Sequence, residues 1–509
     1  MIFISENPSR THVQNPARIS RWNCSRHPYI FRFWRLDVAI ETYVDNGGFL
    51  RIIANTAQTA ALEIQIGTQI YVKDFDNKYA TAGFVTTVVS GGVPNFIFDT
   101  DIPFNGIPVL GGYLNILARA SYFVEVTIQG RNPITGVTST WATARVDTDP
   151  AGFGKLNLEG YLNGYVDKVN AYDYYTKNVI DPYVFGSFRL LYTGKWVNGE
   201  ESFTITDGAI YYFCDNTKKL LDQYGQNLCD YIPFADSTLS IKGKFLCDFN
   251  KPTFFRGYPF DLSVIIPEAF GTSVGMTANE ERFFANGISD GTQDEAMILY
   301  KEETVQRVKV MDNYDPDIAE IDFWLQGDSV PDEEYFEDGY IDDGYFVTIG
   351  GSILTPYRVT EKKRIKIVDP CLKNPLYLAW RNTKGGWSYW LFDRYQEHNI
   401  TTKIDGTFSN EGDYLETSIS RDIITDASAA EKIKLFTQIS RDDISGFQHF
   451  EKSPRILMFI SQDLSSEPPP PPVWLEVKAV PKGITYRNDA DKLILELEIV
   501  LPEHYTIPN

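Results

Sequence analysis

The sequence predicts a mainly β protein, a multi-domain chain of antiparallel β-sandwich and barrel modules with few short helices. Three observations predict it. Apolar and polar residues alternate over short runs along most of the chain, as in half-buried strands. The runs are punctuated by Gly, Pro, Asp and Asn, and no helical pattern alternates with them. Aromatic residues make up 14% of the chain, with 33 Phe and 30 Tyr against 5 Met, and such side chains suit a pleated surface.

Composition narrows the function classes. At 509 residues, 43% hydrophobic and 23% charged, the chain is an ordinary globular sequence long enough for several cores. A net charge of −21 argues against direct nucleic-acid recognition, which needs a basic field. Cys24, Cys214, Cys229, Cys247 and Cys371 are scattered without a CxxC pair, so they read as buried free thiols rather than a disulfide framework or zinc site. The N-terminus lacks the basic and apolar regions of a secretory signal, and no run reaches the ~20 apolar residues of a membrane helix. The expectation is synthesis in a cytoplasm and no membrane span.

Residues 1–28 depart from the rest, with Arg10, Arg18, Arg21 and Arg26 facing the single acid Glu6 and prolines spacing them. They read either as a solvated basic arm or as an extended arm laid across an acidic neighbour, such as another copy of the chain. A β domain follows over 29–180. Within it, short strands near 67–116, separated by Asp, Asn and Gly-Gly turns, suit a small SH3-like or OB-like barrel inserted into a larger sheet. Alternating strands over 181–260 predict a β-sandwich domain, with a short helix near 216–224.

Residues 261–357 form a further β domain carrying the most acidic part of the chain. Asp312, Asp315, Asp317, Glu320 and Asp322 precede Asp332 to Tyr345, where Asp-Gly-Tyr occurs twice and predicts two hairpin tips. Clustered carboxylates raise the question of calcium, but the spacing does not match an EF-hand loop, and a solvated acidic loop explains the residues equally well. Paired acids beside Tyr335, Tyr340 and Tyr345 also admit a glycosidase using Asp338 or Asp342, or non-catalytic sugar contact through Tyr340 and Tyr345.

The C-terminal β domain, 358–509, holds the most distinctive stretch. Leu376 to Arg381 and Trp387 to Phe392 alternate about the turn Asn382–Gly386, so a β-hairpin with two largely apolar faces is expected. Trp380, Trp387, Tyr389 and Trp390 must be covered on both sides, by this chain or by a neighbour. One short helix is expected over 441–452, with Ser440 as N-cap and Ser453-Pro454 as its stop. The proline run 468–472 reads as a stiff loop, and the runs from Trp474 and Leu493 as closing strands.

The sequence holds no nucleophile elbow, no P-loop and no dinucleotide fingerprint, and His12, His27, His398, His449 and His504 show no ligand spacing. The expectation is no catalytic site, no metal and no cofactor. The run Cys371 to Phe392 resembles a signature of tail or baseplate structural proteins from phages and prophages of Bacteroidota, the crAss-like or related tailed phages. Lys244–Pro252, the Ser453–Phe459 run with Trp474–Val477, and Asn23–Phe33 resemble further segments of such proteins. Their N-terminal strand usually carries Asn-Pro where this chain has His27-Pro28. The resemblance implies a non-enzymatic virion subunit, made in the host cytoplasm and assembled as a homo-oligomeric ring or hub with other tail proteins. On that reading Arg10, Arg18, Arg21, Arg26, Trp380, Trp387, Tyr389 and Trp390 are assembly candidates. The competing class is a host-surface polysaccharide-binding protein with aromatic platforms, and a glycoside hydrolase comes third.

Overall fold

The computed structural model describes residues 2–6, 10–11, 19–26, 28–35, 38–40, 43–55, 66–73, 80–90, 95–104, 114–117, 123–131, 137–149, 153–162, 178–180, 185–196, 199–206, 209–216, 228–235, 240–266, 276–296, 304–310, 314–327, 347–349, 352–354, 357–370, 375–409, 422–461, 473–481, 492–502 and 504–506. The chain is mainly β, built from several antiparallel sheets with only short helical turns among the described residues. It divides into two units, each discontinuous in sequence. The first comprises Met1–Ser9, Pro28–Tyr165 and Ser187–Tyr212; the second comprises Arg10–His27, Val166–Gly186 and Phe213–Asn509.

In the first unit, Phe123–Arg131 has strict period-two burial, with Val124, Val126 and Ile128 inward. It pairs on one side with Thr138–Asp147 and on the other with Phe185–Trp196, in a ladder from Phe123↔Lys195 to Arg131↔Ser187. That sheet runs across the domain boundary read at residue 180. The reason is ladder continuity: nine residue pairs bind the 185–196 strand to the preceding sheet, whereas composition registers only the turn residues between them. Beside it, Ile30–Arg35 is flanked by Ile2–Glu6 and Phe153–Asn157. Phe31, Phe188 and Tyr211 pack together, with Phe31–Tyr211 ring centroids 4.9 Å apart.

The expected barrel near 67–116 is part of a larger seven-stranded sheet that also takes in Val38–Ile40, Tyr43–Asn46 and Phe49–Asn55. The strand Ala80–Ser90 bends it, because its first half pairs with Gln69–Lys73 and its second with Asn95–Pro103. Leu50, Ile52, Ile70, Val72, Val85, Phe98 and Ile102 fill the core. Gly47 and Gly48, at φ +67° and +92°, make the tight 43–55 hairpin because only glycine reaches such angles without strain.

The second unit carries the remaining sheets. Met276–Phe284 lies between Ser289–Ala296 and Ile318–Gly327, while Thr253–Phe255 joins Lys363–Val368 in a parallel pairing. The C-terminal sheet has the spatial order Trp387–Phe392, Leu376–Arg381, Ile456–Ser461, Val473–Ala479, Lys492–Val500, Asp422–Ser440, Gln396–Ser409. It curls: the Trp390 indole N–H donates to Thr437 Oγ1 at 3.0 Å, tying the first strand of that order to the sixth. Helical turns Arg441–Asp443, Ile444–Phe447 and Phe450–Lys452 occupy the region expected to be one helix, and Ser440 caps it. The Ser440 N–H and hydroxyl both donate to Asp443 Oδ2, at 2.9 and 2.6 Å, and the Asp443 carboxylate so fixes where the chain leaves the long strand.

The basic N-terminal arm is corrected by these placements. Ile2–Glu6 is a paired strand, and Trp22, Asn23, Cys24 and Ser25 are fully buried. Arginine counting missed this because Trp22 and Cys24 can bury a segment whose guanidinium groups still reach solvent. The expectations for 216–224, the Pro468–Pro472 run and the 332–345 acidic stretch fall on or extend into residues outside those described, as do Asp312 and Cys371. The helical turns include none long and apolar enough to cross a membrane among the described residues.

One ion pair in the first unit makes its stability pH-dependent. Arg51 Nε and Nη2 donate to Asp99 Oδ1 and Oδ2 at 2.5 and 2.9 Å, and this bond, outweighing burial, holds the Asp99 carboxyl below its ordinary range. A depressed carboxylate contributes stability that is complete above its unfolded pKa and lost as pH falls through the folded one. Asp99→Asn should therefore weaken hydrogen-exchange protection of the 51–55 and 95–99 strands at neutral pH, with the difference from wild type vanishing toward acid. An unchanged difference at all pH values would contradict the pairing.

Candidate functional site

The candidate site is the C-terminal hairpin and the polar seam around its turn, all within the second unit. Leu376–Arg381 pairs with Trp387–Phe392 in the register Leu376↔Phe392 to Arg381↔Trp387. Every residue of the second strand is buried. This follows from the two-sided apolar pattern, since alternation with no polar face leaves neither face for water.

On one face, Trp380 and Trp390 meet Phe249, Phe447 and, at Trp380, Phe450. The Phe249 ring stacks on Trp390 at 5.6 Å, and the Phe447 ring lies 5.4 Å from Trp380 and 5.1 Å from Trp390. Gly446 is required beneath them, because a Cβ there would fall on the Phe249 ring. On the other face, Tyr377 stacks on Tyr389 and touches Tyr258, while Phe260 packs on Tyr389. Two guanidinium groups lie over the Trp387 ring, Arg381 at 3.8 Å and Arg307 at 5.3 Å from its centroid. Such cation–π contacts strengthen when desolvated.

Arg307, Asp261 and Tyr389 form a closed buried triad. The Arg307 Nε and Nη2 groups donate to Asp261 Oδ2 at 3.0 Å and to Tyr389 Oη at 2.7 Å, and Tyr389 donates to Asp261 Oδ1 at 3.0 Å. A buried charge is tolerable when each of its partners is satisfied in this way.

The turn is itself buried. Asn382 Oδ1 accepts the N–H groups of Lys384 and Gly386 at 3.0 and 2.9 Å, shaping the turn, and its Nδ2 donates to the Leu246 carbonyl at 2.6 Å. Thr383 donates through N–H and hydroxyl to the two Asp248 carboxylate oxygens, at 2.8 and 2.6 Å. Lys384 Nζ reaches the Cys247 carbonyl at 2.5 Å. Burial alone would lower the Lys384 pKa, but Asp248 and its other neighbours hold it above the usual lysine value. Gly385 sits at φ +88°, and a Cβ there would strike the Cys214 side chain.

The N-terminal segment closes the seam. Ser25 N–H donates to the Cys214 carbonyl at 2.9 Å, Arg26 N–H to Asn216 Oδ1 at 3.3 Å, and Asn216 Nδ2 to the Thr383 carbonyl at 3.3 Å. Asp215 is buried beside Arg26, 3.7 Å away. Burial pushes its carboxyl up, against the pull of Arg381, Arg26 and Arg455. Burial likewise pushes the Cys214 thiol well up, so it packs as an inert apolar group.

Of the residues singled out in the sequence, the structure brings together Trp380, Trp387, Tyr389, Trp390 and Arg26 in this region. The four aromatic residues are between 1% and 5% exposed, so they form a packing centre covered by this chain's own side chains, Trp380 and Trp390 by Phe249 and Phe447, Tyr389 by Phe260 and Tyr377, and Trp387 by Arg381 and Arg307, not a contact surface for a neighbour. Arg21 is exposed, Arg10 begins a two-residue strand paired with Ile19–Ser20, and Arg18, Tyr340 and Tyr345 lie outside the described residues. Asp248, Asp261, Arg307 and Asn216 escaped sequence reading. Asp248 and Asp261 had a usable signal, a single acid set inside an apolar run.

Among the described residues no three His, Cys, Asp or Glu side chains cluster as metal ligands. Cys24, Cys214, Cys229 and Cys247 are buried free thiols. The arrangement clamps separate chain segments to one turn. It defines the class as a multi-sheet antiparallel β protein organised on a buried hairpin. No family model matches the chain, and no curated protein matches it. The crystal structure of trypsin-activated alpha-2-macroglobulin from Escherichia coli aligns at 8% identity over 98% of this chain and 39% of that one, with a TM-score of 0.13. So low a score carries no argument.

Two measurements check the site. Trp387→Ala should cost about 3–5 kcal/mol of unfolding free energy for the second unit. Thr383→Val and Asp248→Ala should be non-additive in a double-mutant cycle, with a coupling of about 1–2 kcal/mol. Additive effects would show that the turn does not depend on Asp248.

Proposed function

We propose that this chain is a non-enzymatic structural subunit of a tailed-phage virion, a component of the tail or baseplate that assembles with copies of itself and with other tail proteins. One observation carries the reading. Stretches on which the resemblance rests, far apart in sequence, converge on one junction: Asn23–Arg26 and Lys244–Pro252 meet the turn of the 371–392 stretch through the Cys24, Leu246 and Asp248 contacts. Ile456–Ser461 pairs with that hairpin, and the strand of Trp474 pairs next. A signature that forms one physical module in space is stronger support than the same residues scattered. The fold also suits a load-bearing part, since buried hydrogen-bonded ties between distant segments resist local opening.

A second reading, binding of host-surface polysaccharide, draws on Tyr395. It is 64% exposed, with its ring 5.8 Å from the half-buried Phe436, and an exposed aromatic ring is the kind of surface a sugar ring stacks on. Negative-stain imaging of the purified full chain, alone and with co-expressed neighbouring gene products, tests both. Rings or tail-like particles containing the chain are expected. A strictly monomeric chain that joins no particle and binds glycans in a Tyr395-dependent manner would replace the structural role with the second reading.

A further inference from the structure

The strand Gln396–Ser409 ends the C-terminal sheet, with Asp422–Ser440 its one neighbour in that sheet among the described residues. Fourteen residues is long for a bare edge, since exposed edges present unpaired backbone groups and are ordinarily kept short or blunted. Its irregularities fall at Ile404, Gly406 and Thr407, which leaves a regular tract over 396–404. The middle of that tract is exposed throughout from His398 to Thr402, and Ile400 is 66% exposed.

Building on the assembly role, we propose that two copies of this chain pair edge to edge through this strand, antiparallel and centred on Ile400, so that the two sheets become continuous. The sequence of the strand is self-complementary about that residue. A two-fold pairing centred there places Ile400 opposite its own copy, Glu397 opposite Lys403, His398 opposite Thr402 and Asn399 opposite Thr401. Opposite charges directly across a strand pair stabilise it and apolar residues cover each other, whereas like charges in those positions destabilise. Slipping the register by one residue loses the match: Glu397 then faces Ile404 or Thr402, and Lys403 faces His398 or Gln396. Register selection is therefore written into the edge itself. One strand pair is a small interface, so the dimer exchanges with monomer and dissociates on dilution.

The test uses the full chain in sedimentation equilibrium and mild oxidative crosslinking. Ile400→Cys is expected to give a covalent dimer, with peptide mass mapping the disulfide to position 400 of both copies. Ile494→Cys, equally accessible at 74% exposure on another strand of the sheet, is expected to give none. Ile400→Lys, at a position 66% exposed in the monomer, should raise the dimer dissociation constant about ten-fold or more. Glu397→Lys should weaken the dimer and Glu397→Lys with Lys403→Glu should restore it, a rescue that losing the Glu397 contact with Lys434 would not produce. Higher-order particles that persist in Ile400→Lys without any crosslink at Ile400→Cys would overturn edge pairing and leave the assembly role standing. A chain monomeric at every concentration, with no crosslink and no particle, would overturn both. Co-purification of a different chain's strand on this edge would overturn the choice of a second copy as occupant.

Discussion

The second unit depends on one constraint: the tip of its central hairpin is polar and buried. A turn at the surface would leave its N–H and carbonyl groups to water, but Asn382, Thr383 and Gly386 are nearly or wholly inaccessible. Each buried group left unpaired would cost on the order of 1–3 kcal/mol. The chain meets that demand by bringing other segments to the turn: Leu246 to Asp248 on one side, Cys214 to Asn216 with Cys24 to Arg26 on another. Segments separated by hundreds of residues must therefore be in place together, and long-range closure of that kind makes the unit cooperative while slowing its formation.

The hairpin was legible because it is local. Alternation over Leu376–Arg381 and Trp387–Phe392, with Asn and two glycines between, specifies strands, turn and register within one short window. Its cover was not legible. Phe249 and Phe447 approach from opposite directions in sequence, and nothing in a run of residues says which distant ring will stack on which. The Ser440 cap was legible for the same reason as the hairpin, its partner Asp443 lying three residues away. In the N-terminal segment arginine density points to a solvated arm, whereas Trp22 and Cys24, both fully buried, anchor the 22–25 stretch. In the first unit the strands near 67–116 were read correctly as strands, but the flanking ones over 38–55 joined them through ladders that composition does not record.

The two ends of the C-terminal sheet are treated oppositely. At one end the strand Trp387–Phe392 is wholly buried and tied across to Thr437, so it offers no edge. At the other, Gln396–Ser409 is long and, over 398–402, exposed on both faces. A curled sheet that closes one edge with its own side chains and, among the described residues, leaves the other without a neighbouring strand directs strand-mediated association of that sheet to the second edge. That asymmetry is a property of one chain and needs no partner to explain how it arose in the fold: the Trp390 to Thr437 tie draws the hairpin inward and leaves the long strand outermost.

The choice of arginine beside Trp387 bears on why the core is not simply apolar. Replacing a buried ion pair with packed hydrophobic groups is often neutral or stabilising, so Arg307 and Asp261 are weak evidence for stability as such. Their geometry does something an aliphatic pair would not. Arg307 must meet Asp261 and the Tyr389 hydroxyl at once while its guanidinium lies against Trp387, and those partners come from two strands, Asp261–Ile266 and Trp387–Phe392. A hairpin slipped by one residue would turn Tyr389 to the opposite face and leave a buried arginine and a buried aspartate without it. The network thus penalises wrong registers more than it rewards the right one. That suits a hairpin with two apolar faces, whose hydrophobic pattern alone discriminates poorly between its two sides.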